Sequence, residues 1–227
     1  MSGTLVVGAT GLVGSSFVAQ YVSSSAITNA PLHILSRRPS GNVADGLTEH
    51  VASTEEWGRL IAEIAPDTVF CALGTTMKIA GSKQAFRAVD FELVDKVGTA
   101  AKAAATRHFL TVSSSMASSS ASNFYLKTKG EAEDSLRAAN FDRLDIIRPG
   151  LLKGERQGRA RLGESIGIMF SPFLDLMLQG GLRKYRSIDS AVVARAVLAL
   201  QNAPETGIFT HENDIITSLS DQWMRQN

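Results

Sequence analysis

Two residues, Tyr125 and Lys129, have types and a spacing that suit proton transfer. They lie four positions apart and therefore share one face if the segment is helical. A free phenol keeps its proton near neutral pH, so it acts as an acid or base only where a positive charge stabilises its anion. The ammonium of Lys129 could provide that charge. Tyr125 is therefore the predicted proton donor and acceptor, with Lys129 as its partner.

Serine hydroxyls precede this pair in a serine-rich stretch at 113–120, which we interpret as an active-site loop rather than a low-complexity segment. The stretch lies between an apolar run and the segment that contains Tyr125. Ser114 or Ser113 could therefore hydrogen-bond the same substrate oxygen as the tyrosine. Ser115 is a third candidate, and each of these hydroxyls could instead serve only to cap the loop.

A glycine-rich turn near the start of the sequence predicts a phosphate-binding site. The segment Gly-Ala-Thr-Gly-Leu-Val-Gly at 8–14 follows an apolar strand and opens a helical pattern. Gly8 permits a tight turn, Gly11 lets the backbone approach a pyrophosphate, and Gly14 lets the helix pack closely on the strand. Such a turn, whose amide groups hold the phosphates, is typical of the first βαβ unit of a Rossmann dinucleotide-binding domain. The predicted contacts to the dinucleotide in this turn are Gly8, Thr10, Gly11, Leu12, Val13 and Gly14.

The residues after the second strand indicate which dinucleotide binds. An NAD-binding site usually has an acidic residue there for the ribose hydroxyls, whereas this sequence has Ser36, Arg37 and Arg38. Two guanidinium groups could form charge-assisted hydrogen bonds to a 2′-phosphate, and one could stack on the adenine. The predicted cofactor is therefore NADPH, with Tyr125 transferring a proton as hydride moves and Lys129 available to the nicotinamide ribose. The alternative is that both arginines are solvated surface charges.

Apolar runs of strand length alternate with longer segments of helical period, which is the pattern of a parallel sheet covered by helices on both faces. We predict six strands, at 4–7, 32–35, 50–51, 68–73, 108–112 and 144–147. Helices are predicted at 11–23, 55–65, 83–105 and 123–139. The predicted fold class is α/β, a Rossmann-type doubly wound parallel sheet whose binding crevice lies beyond the carboxyl ends of the strands. Every motif described above falls at such an end.

The length of 227 residues suits one well-buried α/β domain better than two. We therefore predict a single NAD(P)-binding domain over 1–227, with a core over 1–150 and a small C-terminal, substrate-facing lobe over 151–227. Within that lobe, Ile188, Asp189 and Ser190 open a predicted helix that continues to Leu200, and 207–210 is a predicted late strand.

Composition and charge argue against several other classes of protein. The chain has 23 basic and 22 acidic residues, so its formal charge is +1 and no basic field invites nucleic acid. It has a single cysteine, Cys71, and four histidines without metal-ligand spacing, so no disulfide within the chain and no metal site is predicted. No apolar run reaches the roughly 18 residues of a transmembrane span. The first strand begins too early for a cleavable targeting segment, so we expect a cytoplasmic protein.

In combination, these motifs resemble the short-chain dehydrogenase/reductase superfamily, specifically its atypical branch of Tat-interacting-protein-like oxidoreductases and their fungal mitochondrial-proteome relatives. The resemblance covers nearly the whole chain. The glycine spacing at 8–14 favours this superfamily because it is Gly-x-x-Gly-x-x-Gly rather than Gly-x-Gly-x-x-Gly. The other segments that carry the resemblance are Ser-Arg-Arg at 36–38, Ala-Leu-Gly-Thr-Thr at 72–76, Val-Asp at 89–90, His-Phe-Leu-Thr-Val-Ser-Ser at 108–114, Phe-Tyr-Leu-Lys-Thr-Lys-Gly-Glu at 124–131 and Arg-Pro-Gly-Leu-Leu at 148–152.

The resemblance implies an NADPH-binding fold in which Tyr125 transfers the proton and Lys129 assists it. It also implies that Arg156 lies where it could meet an anionic substrate or phosphate, with a plain surface position as the alternative. A mitochondrial, outer-membrane-associated location is the alternative to the cytoplasm. Two loops are implied to flank the cofactor, one with Leu73, Gly74 and Thr75 and the other with Pro149, Gly150 and Leu151.

Three functions are compatible with these residues. The first is an NADPH-dependent oxidoreductase that reduces a small carbonyl compound, with Tyr125, Lys129 and Ser114 as the catalytic set. The second is an NADPH-sensing adaptor, in which the cofactor orders loops near 74–81 and 154–163 and so changes a surface that binds a protein partner. The third is an epimerase or dehydratase acting on a sugar nucleotide, for which residues 151–227 are few. A homo-oligomer is possible in each case.

Overall fold

The computed structural model describes residues 3–24, 30–154 and 186–226. Its strands are β1 (Thr4–Val7), β2 (Leu32–Ser36), β3 (Leu47–Val51), β4 (Thr68–Cys71), β5 (His108–Val112), β6 (Arg143–Arg148), β7 (Leu152–Lys153), β8 (Ile188–Asp189) and β9 (Gly207–Glu212). Seven of them form one sheet in the order β3-β2-β1-β4-β5-β6-β9, in which each neighbouring pair is parallel. The two short strands β7 and β8 form a separate parallel pair.

Helices cover both faces of the sheet. They are α1 (Leu12–Ser23), α2 (Trp57–Ile64), α3 (Met77–Ala80), α4 (Lys83–Arg87), α5 (Leu93–Ala103), α6 (Phe124–Ala138), α7 (Ser190–Leu200) and α8 (Asn213–Gln226). One apolar layer packs α1, α7 and α8 against the sheet, and the other packs α2, α5 and α6 against its opposite face. Central strands that are buried on both faces explain the continuous apolar runs at β1 and β4.

The order of the strands reverses between β1 and β4, and this reversal positions the site. In doubly wound sheets the ligand crevice lies at such a switch point, beyond the carboxyl ends of the strands. The backbone N–H of Ala72, just after β4, donates to the carbonyl oxygen of Val7 at the end of β1 at 2.8 Å. The glycine turn after β1 and the loop after β4 therefore begin side by side.

The α/β fold predicted from the sequence is the fold observed, with local differences at the ends of elements. The third predicted strand, at 50–51, is the carboxyl end of the longer β3, which pairs with β2 over five residues. The fourth predicted strand, at 68–73, ends at Cys71 because the chain then turns away from the sheet as the loop over the crevice. The elements that we did not predict are α3, in that loop, α8, and the short strands β7 and β8, the last of which takes Ile188 and Asp189 from the predicted start of a helix.

The helix predicted at 83–105 is not a single α-helix. It consists of α4, a π-helical turn at Ala88–Glu92 and α5, which ends at Ala103. A π turn accommodates one additional residue and is frequent at functional sites. Periodicity could not predict it, because the apolar spacing on either side remains helical.

The described part of the predicted C-terminal lobe joins the same layers as the rest of the fold. The predicted helix corresponds to α7, and the predicted late strand is β9, which pairs with β6 and adds a seventh strand to the sheet. Residues 155–185, which include Arg156 and most of the glycine-rich stretch, lie outside the described residues. Within the described residues, none of the helices is both long and apolar enough to cross a bilayer.

Candidate cofactor and catalytic site

The turn after β1 requires glycine at positions 8 and 14. Gly8 has φ +92°, and a Cβ on it would lie 2.7 Å from the carbonyl carbon of Ala72. A Cβ on Gly14 would lie 2.2 Å from the carbonyl oxygen of Gly8, so α1 packs directly on the turn. The tight turn predicted at Gly8 and the close packing predicted at Gly14 are therefore the geometry observed.

The first turn of α1 fits a phosphate. Gly11 is the N-cap residue and has no side chain to accept hydrogen bonds from the amide groups that begin the helix, and no acidic residue lies in the first turn. Such amide groups and the positive end of the helix dipole attract an anion. Thr10 is exposed, Leu12 is half-buried, and Val13 is buried in the core, so Val13 could contact the dinucleotide only through its backbone.

Arg37 and Arg38 directly follow β2, and both are exposed. Within residues 3–24, 30–154 and 186–226, neither arginine forms an ion pair with a carboxylate. Their guanidinium groups are therefore available to an anion at the carboxyl end of β2, which is where the 2′-phosphate of NADPH was predicted to lie.

Lys129 is buried on α6 in an ion pair with an acidic residue that has no role in the sequence prediction. Its Nζ lies 2.7 Å from Oδ1 of Asp90, a fully buried residue of the π turn. Burial opposes the charge of Lys129, but the negative charge of Asp90 and the nearby Tyr125 outweigh it, so the pKa of Lys129 is raised. The lysine is therefore held in its charged form.

Asp90 also ties this pair to the loop after β4. Its Oδ2 accepts a hydrogen bond from the backbone N–H of Thr75 at 2.9 Å. A Cβ on Gly74 would lie 3.4 Å from both Asp90 Oδ1 and Lys129 Nζ, so the loop passes directly over the ion pair. Gly74 and Thr75 therefore lie next to the ion pair of Asp90 and Lys129, and contact of this loop with the cofactor stays a prediction.

Tyr125 lies one helical turn before Lys129 on α6 and is half-buried. The side chain of Asn123 fixes the start of this helix, because its Oδ1 accepts a hydrogen bond from the N–H of Leu126 at 3.1 Å. The tyrosine ring packs at 5.4 Å from the ring of Phe86, which is fully buried on α4. The predicted tyrosine–lysine pair is thus on one helix face, with Phe86 supporting the ring.

The three candidate serines differ in what their hydroxyls contact. Ser113 is buried and donates to Oε1 of Glu133 at 2.6 Å. Ser115 is buried, and its Oγ donates to the carbonyl oxygen of Pro149 at 3.1 Å. Ser114 is half-buried, and its Oγ makes a longer contact of 3.3 Å with the carbonyl oxygen of Ser115. The geometry therefore favours Ser114 over Ser113 as the hydroxyl that could reach a substrate.

A buried glutamate holds the serine loop and the loop after β6 together. Glu133 on α6 accepts the hydrogen bond from the Ser113 hydroxyl. It also forms an ion pair with Arg148 at the end of β6, in which Nε of Arg148 lies 2.8 Å from Oε1 of Glu133. Arg148 in turn donates to the carbonyl oxygen of Ala117 at 2.9 Å. Pro149, the next residue, accepts the N–H of Ser115 at 3.0 Å. The loop with Pro149, Gly150 and Leu151 is therefore fixed against the serine loop.

Two residues of this site, Asp90 and Glu133, were missed in the sequence prediction. Val-Asp at 89–90 was noted as a motif but given no role, because an acidic residue within a helical segment is usually solvated. The available signal for Asp90 was its position between the apolar Val89 and Phe91, whereas Glu133 lies among the acidic Glu131 and Asp134 and gave no such signal. Their partners come from other elements, and sequence spacing cannot show such pairings.

Comparisons with known proteins show the family and the fold of this chain. A family model described as NAD(P)H-binding matches residues 8–204. The protein FMP52, mitochondrial, of Meyerozyma guilliermondii is 39% identical over 165 residues, which cover 71% of this chain and 69% of that protein. The protein of the same name in Candida albicans is 35% identical over 197 residues, covering 84% of this chain and 85% of the relative.

A solved structure, described as a putative NAD-dependent epimerase/dehydratase from Bacillus halodurans, has the same fold. It superimposes with a TM-score of 0.67 at 21% identity, covering 98% of this chain and all of that one. The fold and the site define an NAD(P)-binding protein of the short-chain dehydrogenase/reductase type. The chain belongs to the NAD(P)H-binding family as an atypical member of that superfamily, within the group of proteins named FMP52.

Proposed function

We propose that the protein is an NADPH-dependent oxidoreductase that reduces a small carbonyl compound. The observation that carries this proposal is the buried Asp90–Lys129 ion pair, which lies one helical turn from Tyr125 and beneath the loop of Gly74 and Thr75. A buried charge of this kind is costly unless it is paired, and such perturbed groups concentrate at functional sites. It places a fixed ammonium next to a partly exposed phenol at the carboxyl edge of the sheet.

Each side chain has a separate role in the proposed reaction. NADPH, when bound, supplies the hydride. Tyr125 donates the proton to the substrate oxygen, and the Lys129 ammonium stabilises the phenolate that remains. Ser114 donates a hydrogen bond to the same oxygen. The residues proposed to hold the cofactor are Gly8, Thr10, Gly11, Leu12, Val13, Gly14, Arg37, Arg38, Leu73, Gly74, Thr75, Pro149 and Leu151.

The choice of NADPH over NADH rests on Arg37 and Arg38. Both are exposed and without a carboxylate partner in the described residues, and the residues that directly follow β2, at 37–40, include no acidic residue to bind ribose hydroxyls. A carboxylate there would repel a 2′-phosphate, whereas two guanidinium groups bind it with charge-assisted hydrogen bonds.

The test is NADPH consumption with a panel of aldehydes, ketones and quinones. Tyr125→Phe should lower turnover by about 100-fold or more while cofactor affinity stays near that of the native protein, because only the transferred proton is lost. Lys127→Ala, an exposed lysine on the same helix, is the matched control and should retain turnover. Equal turnover in Tyr125→Phe and the native protein would rule out the proposed role of the tyrosine.

An NADPH-sensing adaptor is the second candidate, and one observation favours it. Met77 and Ile79, on the short helix α3 next to the cofactor loop, are 38% and 47% exposed. Because Asp90 joins this loop to Lys129, a cofactor that contacts Lys129 could change how these apolar side chains are presented to a protein partner. Retained NADPH binding with no oxidation by any member of the panel would favour this function.

We propose a mitochondrial location because the relatives named FMP52 are described as mitochondrial, with the cytoplasm as the alternative. We also propose that residues 1–227 act as one NAD(P)-binding domain. Fractionation of cells that express the tagged protein, with mitochondrial and cytosolic markers, distinguishes the two locations.

A further inference from the structure

The turn that carries Arg37 and Arg38 is held by a glutamate on the neighbouring strand. Glu49 of β3 is the register partner of Ile34 of β2. Side chains alternate across a strand, so Glu49 projects on the same face of the sheet as Ser36, two residues after Ile34. The carboxylate therefore lies beneath the chain as it leaves β2.

One oxygen of Glu49 connects the two ends of this turn. The backbone N–H of Ser40 donates to Oε1 of Glu49 at 2.7 Å. Oγ of Ser36 lies 3.2 Å from the same oxygen and 2.8 Å from the carbonyl oxygen of Arg38. After the arginine pair, Ser40 is tied to Glu49 by its N–H. Before the pair, Ser36 shares its single hydroxyl hydrogen between Glu49 and the carbonyl oxygen of Arg38.

The sequence within the turn adds stiffness. Pro39 has a fixed φ, and the residue before a proline is restricted to extended conformations, so the backbone of Arg38 has little freedom. Ser40 is fixed further, because its Oγ accepts a hydrogen bond from Nδ2 of Asn42 at 3.0 Å. Arg37 and Arg38 are exposed, and neither has an ion-pair partner in the described residues that would hold it. Their placement therefore depends on the backbone of the turn.

We propose that Glu49 is the positioning residue for recognition of the NADPH 2′-phosphate, an inference that rests on the proposed preference for NADPH. Glu49 does not contact the phosphate. It holds the turn in one conformation, so that both guanidinium groups are already placed when the dinucleotide arrives and less ordering is needed on binding. The N–H of Ser40, with the shared hydroxyl of Ser36, partly offsets the negative charge of Glu49, which would otherwise oppose a phosphate at this edge of the sheet.

The experiment compares dissociation constants for NADPH and NADH in the full chain and two variants. Glu49→Ala removes the acceptor and should weaken NADPH binding by about five- to tenfold while NADH binding changes less than about twofold. Glu49→Gln keeps an acceptor oxygen at the same position and should retain most of the NADPH preference. General damage to the fold would weaken the binding of both cofactors together. The ratio of the two dissociation constants therefore reports how well the arginines are positioned.

Asp45→Asn is the matched control, since it removes an exposed carboxylate from the same connection between β2 and β3. It should leave the ratio unchanged. Amide exchange of the Ser40 N–H gives an independent measurement, and it should be faster in Glu49→Ala than in Glu49→Gln or the native protein.

Separate results would contradict the two proposals. A native protein that binds NADH as tightly as NADPH contradicts the proposed cofactor preference. If the native protein prefers NADPH, two results in Glu49→Ala overturn the role of Glu49. One is an unchanged ratio of the two dissociation constants, and the other is an equal loss of affinity for both cofactors. Glu49→Gln losing as much preference as Glu49→Ala also overturns it, because an acceptor oxygen at that position would then not be sufficient.

Discussion

At the scale of single residues, the Asp90–Lys129 pair is the feature that most constrains the site. Both side chains are nearly inaccessible to solvent, and a charge left alone in such surroundings is strongly destabilising. The pair therefore does two things. It keeps an ammonium next to Tyr125, and through the N–H of Thr75 it fixes the loop over the crevice.

Replacing only Asp90 should show how much an unpaired buried charge destabilises the protein. In Asp90→Asn, Lys129 remains buried without a counter-charge, so we expect the free energy of unfolding to fall by about 3 kcal/mol. Urea denaturation followed by circular dichroism measures it. Asp134→Asn, an exposed acid on α6, should change stability by less than about 0.5 kcal/mol. Combining Asp90→Asn with Lys129→Met should recover part of the loss. A loss below about 1 kcal/mol in the single variant would contradict the pairing.

The glycine turn allows a second test at this scale. In Gly14→Ala the new Cβ meets the carbonyl oxygen of Gly8 at 2.2 Å, so the backbone must shift, and we expect a loss of about 2 kcal/mol of stability together with weaker cofactor binding. The matched control is Gly58→Ala in α2, where a Cβ has open space within 4 Å. That change should stabilise the protein by about 0.5–1 kcal/mol, because alanine favours a helix. Thermal unfolding and cofactor titration measure both variants, and equal effects would contradict the packing argument.

At the scale of elements, the sequence predicts what depends on local patterns. The apolar runs predicted β1, β2 and β5 nearly to the residue, and the glycine turn and the Tyr125–Lys129 spacing were visible without coordinates. The pairings between elements were not predictable. Two histidines that are far apart in the sequence, His108 of β5 and His211 of β9, both hydrogen-bond the carboxylate of Asp145 on the strand between them, β6.

The contact between His33 of β2 and His50 of β3 should make the stability of the protein depend on pH. Nδ1 of His33 lies 3.1 Å from Nε2 of His50, and this contact requires at least one neutral ring. Burial lowers the pKa of His33, and repulsion from His50 lowers it further. The unfolded chain therefore takes up a proton before folded His33 does, so the free energy of unfolding should fall as pH drops below the ordinary histidine value of about 6.5.

The matching measurement is urea unfolding at a series of pH values from neutral to mildly acidic. His50→Gln removes the repulsion but not the burial, so it should flatten this fall in stability without abolishing it. His33→Gln removes the titrating group and should flatten it further. If the free energy of unfolding falls with pH as steeply in both variants as in the native protein, the pH dependence comes from other groups.

At the scale of the whole molecule, the charge of the protein is nearly balanced, with 23 basic and 22 acidic residues. A net charge of +1 produces little long-range attraction for a multiply charged dinucleotide. Any preference for NADPH must therefore come from local groups, and Arg37 and Arg38 are exposed at the carboxyl end of β2, where such a preference would arise. Because salt screens exposed charges, the contribution of these arginines to NADPH affinity can be measured from its dependence on ionic strength.

We expect the affinity for NADPH to fall more steeply than that for NADH as ionic strength rises from about 0.05 to 0.5 M, because only NADPH presents a 2′-phosphate to the exposed arginines. In the double variant Arg37→Ala, Arg38→Ala the two slopes should coincide, and NADPH affinity at low salt should fall by about tenfold or more. Fluorescence titration of both cofactors at several salt concentrations measures the slopes. Replacing Lys78 and Lys83, which are exposed beside the loop after β4, is the control and should leave the difference between the two slopes unchanged, because neither lysine follows β2. Equal slopes for the two cofactors in the native protein would contradict the proposed role of the arginines, because the salt-sensitive contacts would then be those to the pyrophosphate that both cofactors share.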